Sequence, residues 1–191
     1  TALMDEPVQV IGEEWPTTLP AATTPARTDP LGPLTEAGLL FTSGTTGVSK
    51  GAILTNESLL FNAERYIAAG GLMEITYGEE RLYNPLPVYY ANAFAHTNIV
   101  MILSAGCMIF PDRFHPGTWW SDIVSTDATI VHYLGIIAPL LLKRDASPLE
   151  MAHRVKFGLG SGVDSNQHIA WEKRFGFPLM EVYGMTELGI C

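Results

Sequence analysis

A lysine preceded by a run of small hydroxyl-bearing and glycine residues is the part of this chain best suited to chemistry. Thr42-Ser43-Gly44-Thr45-Thr46-Gly47-Val48-Ser49-Lys50-Gly51 follows directly on the apolar run Gly38 to Phe41, which reads as a buried strand. Small residues let the backbone come close to an anion, and glycine reaches φ/ψ values closed to other residues. Successive backbone N–H groups can then cradle phosphate oxygens, the hydroxyls add donors, and the Lys50 ammonium adds charge. The segment is a phosphate-binding loop by its chemistry. It is not a Walker A loop, because Gly44 and Gly47 are three apart and Lys50 follows Val48-Ser49. The competing reading, a flexible Ser/Thr/Gly surface loop, does not account for a second motif downstream.

That second motif follows Leu179 to Val182, a short apolar strand broken by Glu181. In Tyr183-Gly184-Met185-Thr186-Glu187 each residue type has a use. Tyr183 offers a ring face for stacking on a base, and Gly184 allows close backbone approach. The Thr186 hydroxyl can donate to a phosphate oxygen, and the Glu187 carboxylate is a hard ligand suited to Mg²⁺. Between the two motifs, a strand at 154–159 runs into Gly158-Leu159-Gly160-Ser161-Gly162-Val163, with a helix start near Asp164 or Ser165, both favourable cap types. A dinucleotide-binding turn would need Gly-x-Gly-x-x-Gly, and the spacing Gly158, Gly160, Gly162 fails that test.

Thr-Ser-Gly-Thr-Thr-Gly-x-x-Lys-Gly over residues 42–51 resembles the signature of the adenylate-forming (AMP-binding) superfamily of acyl-CoA synthetases, luciferases and peptide-synthetase adenylation domains. Tyr183 to Glu187 resembles that family's Tyr-Gly-x-Thr-Glu motif, and the Gly160–Gly162 turn stands where its members contact the adenine edge. Leu86-Pro87-Val88-Tyr89-Tyr90-Ala91 is similar to its Pro-Leu-aromatic-His segment, which precedes a helix lining the carboxylate pocket. Tyr90 falls where histidine is common, and reads either as the aromatic gate or as packing at a helix start. Ser49 departs from the usual proline; this loosens the loop backbone but removes no phosphate ligand.

The resemblance spans roughly residues 34–191 and implies ATP-dependent activation of a carboxylic acid to an acyl-adenylate, followed by transfer to a thiol, usually coenzyme A. It implies ATP, Mg²⁺ and coenzyme A as co-substrates. It gives catalytic roles to Lys50, Thr186 and Glu187, with Glu187 as the Mg²⁺ ligand. ATP contacts fall to Thr42, Ser43, Gly44, Thr45, Thr46, Gly47, Lys50, Gly160, Ser161, Gly162, Tyr183, Gly184, Met185 and Thr186, and an acid-pocket contact to Tyr90. Members are much longer. Residues 38–191 are therefore expected to be part of the large N-terminal adenylation domain. The ribose-binding aspartate, the hinge and the C-terminal domain with its lysine would then be absent, and the piece inactive alone. Three other readings stay open: a noncatalytic nucleotide-binding or assembly module, an adenylation domain loading a carrier-protein thiol, and a kinase-like phosphotransferase.

The elements that must position these residues follow a simple alternation. Residues 1–37 form a Pro-rich approach segment, with prolines at 7, 16, 20, 25, 30 and 33 and one short strand at Val8 to Ile11. Strands are expected at 38–42, 51–55, 81–85, 107–110, 129–133, 154–159 and 179–183. Helices are expected at 57–69 (capped by Asn56), 91–103, 118–125, 136–143 with Pro139 inside, and 165–175. Strands alternating with helices at this spacing give an α/β fold with a largely parallel sheet flanked by helices.

Composition excludes several functions. A net charge of −9 among 191 residues speaks against nucleic acid or an anionic membrane as main partner. With 47% hydrophobic and 16% charged residues, the chain is core-rich and globular. Cys107 reads as a small core residue; it and the terminal Cys191 make no disulfide framework, which suits a reducing cytoplasm. No signal peptide is evident, the apolar stretch Ile99 to Met108 is too short to span a bilayer, and the Asn56-Glu57-Ser58 sequon is accordingly set aside. The five histidines show no metal-ligand spacing, and His96 reads as a satisfied core or pocket histidine. Of the adjacent Trp119 and Trp120, one is expected in the core and one partly exposed. No Gly-x-Ser-x-Gly elbow provides a hydrolase nucleophile. Apolar surface left uncovered in a partial domain would favour self-association.

Overall fold

Short apolar strands, each leading into a helix or turn, assemble here into a parallel sheet with helices on both faces. The computed structural model describes residues 29–42 and 47–190. The strand expected at Val8 to Ile11, the loop residues Ser43, Gly44, Thr45 and Thr46, and Cys191 lie outside the described residues.

In chain order the elements are β1 (Glu36–Thr42), β2 (Lys50–Thr55), α1 (Asn56–Ala68), β3 (Arg81–Tyr83), a π-helical segment (Asn92–Thr97), α2 (Asn98–Leu103), β4 (Cys107–Ile109), α3 (Trp119–Ser125), β5 (Ile130–Leu134), α4 (Ile137–Leu142), β6 (Phe157–Ser161), α5 (Ser165–Phe175), β7 (Leu179–Glu181), β8 (Gly184–Met185) and β9 (Gly189–Ile190). They belong to one unit spanning residues 32–191. Five strands in the order β4-β3-β5-β6-β7 form the main sheet, and every neighbouring pair is parallel. Crossovers between parallel strands carry helices onto the sheet faces, so the strands must be apolar on both sides. β3 shows this in two residues: Leu82 enters one core and Tyr83 the other.

The first core gathers Trp119, Trp120, Ile123, Val131, Tyr133, Ile137, Trp171 and Phe175, the inward residues of α3, α4 and α5 on one sheet face. The second gathers Ala63, Tyr66, Val100, Met101, Ile130, Phe157 and Leu159, from α1, α2 and the other face. Trp119 and Trp120 are both buried, contrary to the expectation that one would be partly exposed. Trp120 is covered by the His153 ring, 5.5 Å away, and the Phe175 ring, 4.7 Å away.

Several element boundaries differ from those read in the sequence, each for a local reason. Thr55, not Asn56, caps α1: its Oγ1 accepts from the Ser58 N–H (3.2 Å) while the Ser58 hydroxyl accepts from the Thr55 N–H (3.0 Å). Asn56 instead donates through Nδ2 to the Gly32 carbonyl (3.1 Å). The single helix expected at 91–103 is divided into the π segment and α2, and the Thr97 hydroxyl donates to the Asn92 carbonyl five residues back (2.7 Å). β6 starts at Phe157 rather than 154, which places Gly158 and Gly160 within the strand. A Cβ on Gly160 would lie 2.2 Å from the Tyr133 carbonyl oxygen, so the strand spacing there admits only glycine. α5 behaves as read: Asp164 accepts from the Asn166 and Gln167 N–H groups (2.9 and 3.1 Å), and Gly176 ends the helix at φ 79°.

At the amino ends of the strands, Glu80 is buried and accepts from the Thr76 N–H (2.8 Å), the Thr129 hydroxyl (2.6 Å) and the Lys156 ammonium. Burial raises its pKa, but these donors outweigh burial and hold the carboxyl below its ordinary value. The network fastens β3, β5 and β6 at the end away from the glycine turn.

β1 and β2 form a separate antiparallel hairpin. Leu40 and Leu54 on its inner side pack with Leu59 of α1 and with Phe94 and Ala95 of the π segment. Leu39, Phe41 and Ile53 point outward and are at least half exposed.

Candidate active site: a cleft at the strand carboxyl ends

In a parallel sheet the loops leaving the carboxyl ends of the strands surround one crevice, where ligands of open α/β folds bind. That crevice is present here as a cleft of about 240 Å³. β5 contributes Tyr133 and Leu134, and β6 contributes Gly160 and Ser161. The chain beyond β7 contributes Val182, Gly184, Met185 and Thr186, and the chain beyond β3 contributes Tyr90, Ala91, Asn92 and His96.

The turn after β6 is fixed from below by Glu181, which pairs with Gly160 across the β6–β7 ladder. One carboxylate oxygen accepts from the Gly162 N–H (2.8 Å). The other accepts from the Val163 N–H (3.2 Å) and the Tyr133 hydroxyl (2.9 Å), with His168 Nε2 at 3.3 Å. Partial burial raises the Glu181 pKa, and the Gly162, Tyr133, Val163 and His168 donors outweigh it, so the carboxyl titrates below its usual range. Gly162 sits at φ 90°, a conformation that side chains disfavour, and so can turn the chain toward α5.

A buried polar network lies behind the opposite wall. The Leu86 N–H donates to Asn84 Oδ1 (3.0 Å), which fixes the Asn84 amide so that its Nδ2 donates to Asn92 Oδ1 (3.1 Å) and Thr97 Oγ1 (2.9 Å). His132 Nδ1 reaches Asn92 Oδ1 at 2.8 Å, and the Tyr66 hydroxyl faces His132 Nε2 at 3.3 Å. With Tyr66 donating, the His132 proton belongs on Nδ1 and both ring nitrogens are satisfied. Burial, assisted by the neighbouring His96, pushes the His132 pKa down to about 3. Burial alone pushes His96 down to about 4. Both rings are neutral at pH 7. The expectation for His96 holds as to the pocket but not as to satisfaction: its Nδ1 is buried without a hydrogen-bond partner.

The structure brings together Tyr90, Gly160, Ser161, Gly184, Met185 and Thr186 on one cleft, although they come from three separate stretches of chain. Gly162 stands beside it. Tyr183 and Glu187 are exposed and not part of the lining. Thr42, Gly47 and Lys50 lie on the β1–β2 hairpin, also outside the lining; Lys50 is exposed opposite Thr42, whose Oγ1 donates to the Lys50 carbonyl (3.4 Å). Gly47 has φ 82°, as a turn entering β2 requires. Asn92, Tyr133, Leu134 and Glu181 were not singled out as site residues from sequence. Among the described residues no three His, Cys, Asp or Glu side chains cluster as a metal site. Nor does any helix among them have the length and apolarity to cross a membrane.

A glycine-turned crevice at the carboxyl edge of a parallel sheet, beside an antiparallel hairpin, defines an open-sheet α/β domain of the kind that places its ligand site at that edge. The sequence matches the AMP-binding enzyme family over residues 3–191, and the chain belongs to that family. It is 31% identical over 177 residues to the medium/long-chain-fatty-acid–CoA ligase FadD6 of Mycobacterium tuberculosis, covering 92% of this chain and 29% of that protein. It is 30% identical over 190 residues to the sulfoacetate–CoA ligase of Cupriavidus necator, covering 96% of this chain and 36% of that one. Among solved structures, ATP-bound MatB from Rhodopseudomonas palustris superposes with a TM-score of 0.71 at 26% identity, over 83% of this chain and 31% of that one. The chain thus spans about a third of the length of these relatives, and its sheet and flanking helices are those of adenylate-forming enzymes.

Proposed function

We propose that this chain carries the acid- and ATP-binding cleft of an acid–thiol ligase, which converts a carboxylic acid to its acyl-adenylate and then transfers the acyl group to coenzyme A. The observation that carries this reading is the single cleft that joins Gly160–Ser161 and Gly184–Thr186 to the wall formed by Tyr90, Asn92 and His96. One side is glycine-lined and suited to a base and an α-phosphate. The other is aromatic and polar, and suited to an acid.

In this reading Gly160, Ser161 and Gly162 present backbone groups to the adenine edge, and Tyr183 supplies a ring face. Thr186 donates its hydroxyl to an α-phosphate oxygen. Thr42, Ser43, Gly44, Thr45, Thr46 and Gly47 hold the β- and γ-phosphates, and Lys50 offsets their charge. Thr42, Gly47 and Lys50 stand on the hairpin, outside the cleft lining, so they would act from its edge, on the phosphates that project out of it. Tyr90 borders the acid. A substrate carboxylate oxygen bonds to the α-phosphorus as the bond to pyrophosphate breaks, and the residues named fix that in-line geometry and stabilise developing charge. Mg²⁺ typically takes one or two protein carboxylates and completes its shell with substrate phosphates and water, so the lone exposed Glu187 fits an ion delivered with ATP rather than a resident metal. Use of ATP and coenzyme A fits a cytoplasmic setting. The outward apolar face of the hairpin, Leu39, Phe41 and Ile53, fits self-association or cover by further chain.

The test, made on a protein of the relatives' full length that contains these residues, is acid-dependent exchange of labelled pyrophosphate into ATP, followed by thioester formation with coenzyme A across a panel of acids. Exchange with at least one acid is expected. Binding of Mg-ATP without exchange for any acid would instead favour a noncatalytic nucleotide-binding module, and exchange with transfer only to a carrier-protein thiol would redirect the second half-reaction.

A further inference from the structure

The wall of the cleft formed by the π segment is polar, and its polar groups are held in a definite orientation. Asn92 and His96 stand four residues apart on that segment and both line the cleft. Asn92 Oδ1 is committed to Asn84 Nδ2 (3.1 Å) and His132 Nδ1 (2.8 Å), so what Asn92 can offer the cleft is its amide NH₂. His96 is 6% exposed and neutral, and its Nδ1 has no partner. Buried polar atoms in folded proteins are nearly always paired; His96 Nδ1 is shut off from solvent as the ring stands, so a ligand in the cleft pairs with it by way of a turn of the ring about Cβ–Cγ that brings Nδ1 to the cleft face. A plain alkyl chain laid along this wall would strip water from the Asn92 amide, leave His96 Nδ1 unpaired and return no hydrogen bond.

We infer that the acid activated here carries an uncharged oxygen, a hydroxyl or a carbonyl, which hydrogen-bonds to Asn92 and His96. The inference rests on the ligase reading above and narrows its substrate class to polar-substituted acids, as against unsubstituted alkanoic acids. Neither wall residue is charged, so no counter-charge is provided for a second carboxylate. The network of Asn84, Thr97, His132 and Tyr66 behind the wall supports the selection: it holds Asn92 in the donor orientation instead of leaving the amide free to flip.

The experiment, on the same full-length protein, is pyrophosphate exchange with pairs of acids matched in skeleton: hexanoate and its ω-hydroxy form, benzoate and para-hydroxybenzoate, with adipate as the charged comparison. For at least one pair the hydroxylated member is expected to be favoured by about tenfold or more in kcat/KM, chiefly through KM, because a site built to hydrogen-bond a substrate rejects the analogue that leaves its polar groups unpaired. His96→Leu should lower that preference by about tenfold, and His96→Gln, which keeps a donor and an acceptor, should restore most of it. Thermal unfolding of both variants separates lost recognition from lost fold. Exchange with no preference in any pair, a preference for the unsubstituted acids or adipate, or an unchanged preference in His96→Leu overturns this inference and leaves the ligase reading standing. Absence of exchange with every acid overturns both.

Discussion

Replacing Glu181 by glutamine tests whether the glycine turn is held in place by charge. The carboxylate accepts on both oxygens, from Gly162 N–H on one and from Val163 N–H, the Tyr133 hydroxyl and His168 on the other. Glutamine has one acceptor oxygen. If that oxygen keeps the Val163 and Tyr133 side, the new NH₂ faces the Gly162 N–H, and two donors confront each other. Hydrogen bonds to charged groups contribute about 1.5–3 kcal/mol and neutral ones about 0.5–1.5 kcal/mol. Losing one charged bond and weakening the others sums to roughly 3 kcal/mol, and the 37% exposure of the side chain reduces this by solvent screening to about 2 kcal/mol. The pH dependence has a definite sign. The folded pKa of Glu181 is depressed, so its contribution is fully present above the ordinary carboxylate pKa and is lost as pH falls through the lower, folded value. Urea unfolding of parent and Glu181→Gln should therefore differ most near neutrality and converge in acid. Because Gly160 and Ser161 line the cleft directly above, the KM for ATP should also rise, by about tenfold if the turn shift removes roughly one hydrogen bond. Coincident unfolding curves at neutral pH, or a gap that persists unchanged into acid, would refute the reasoning.

Other substitutions probe other parts of the site. Lys50→Ala should slow pyrophosphate exchange by about tenfold to a thousandfold, the range for losing one electrostatic donor, and an unchanged rate would remove Lys50 from the mechanism. Glu187→Gln should raise the Mg²⁺ concentration needed for half-maximal exchange while leaving the unfolding midpoint nearly unmoved; superimposable Mg²⁺ titrations would contradict the ligand assignment. Gly160→Ala places a Cβ 2.2 Å from a backbone oxygen and 2.7 Å from the Tyr133 ring, so a loss of about 3 kcal/mol or failure to fold is expected by thermal unfolding. A fully stable Gly160→Ala protein would show that β5 and β6 can part without penalty.

What the sequence made legible was family membership, carried by motifs of contiguous residues. The hydroxyl–glycine run up to Lys50 and the stretch Tyr183 to Glu187 each carry the family's signature within a few positions, and the alternation of apolar runs with helices was enough for a parallel α/β sheet. Glu181 was not legible, because a lone charge in a short apolar strand reads only as an interruption. Its partners, Tyr133 and Gly162, are 48 and 19 residues distant in the chain. Asn92 escaped notice for the same reason, since its orientation depends on Asn84 and on His132 from a neighbouring strand. The π segment could not be told from an α-helix over the six residues Asn92 to Thr97, which hold no glycine or proline to mark a change of winding. Burial of both Trp119 and Trp120 was not legible because adjacent helical residues face apart, whereas here His153 and Phe177 close over Trp120 on the second face.

The π segment also bears on how this fold can change over evolutionary time. A π-helical turn spends one more residue than an α turn and is equivalent to a single inserted codon. Its two ends are clamped independently, Asn92 by the polar network and the following helix by Val100 and Met101 in the core. Removing one residue between them would restore α geometry and turn the intervening side chains by about 100° relative to one end. A different residue would then occupy the place of His96 on the cleft wall. A lineage carrying this domain can thus re-face this wall of its cleft by a one-residue change in length, without touching the sheet or the stretch Tyr183 to Glu187.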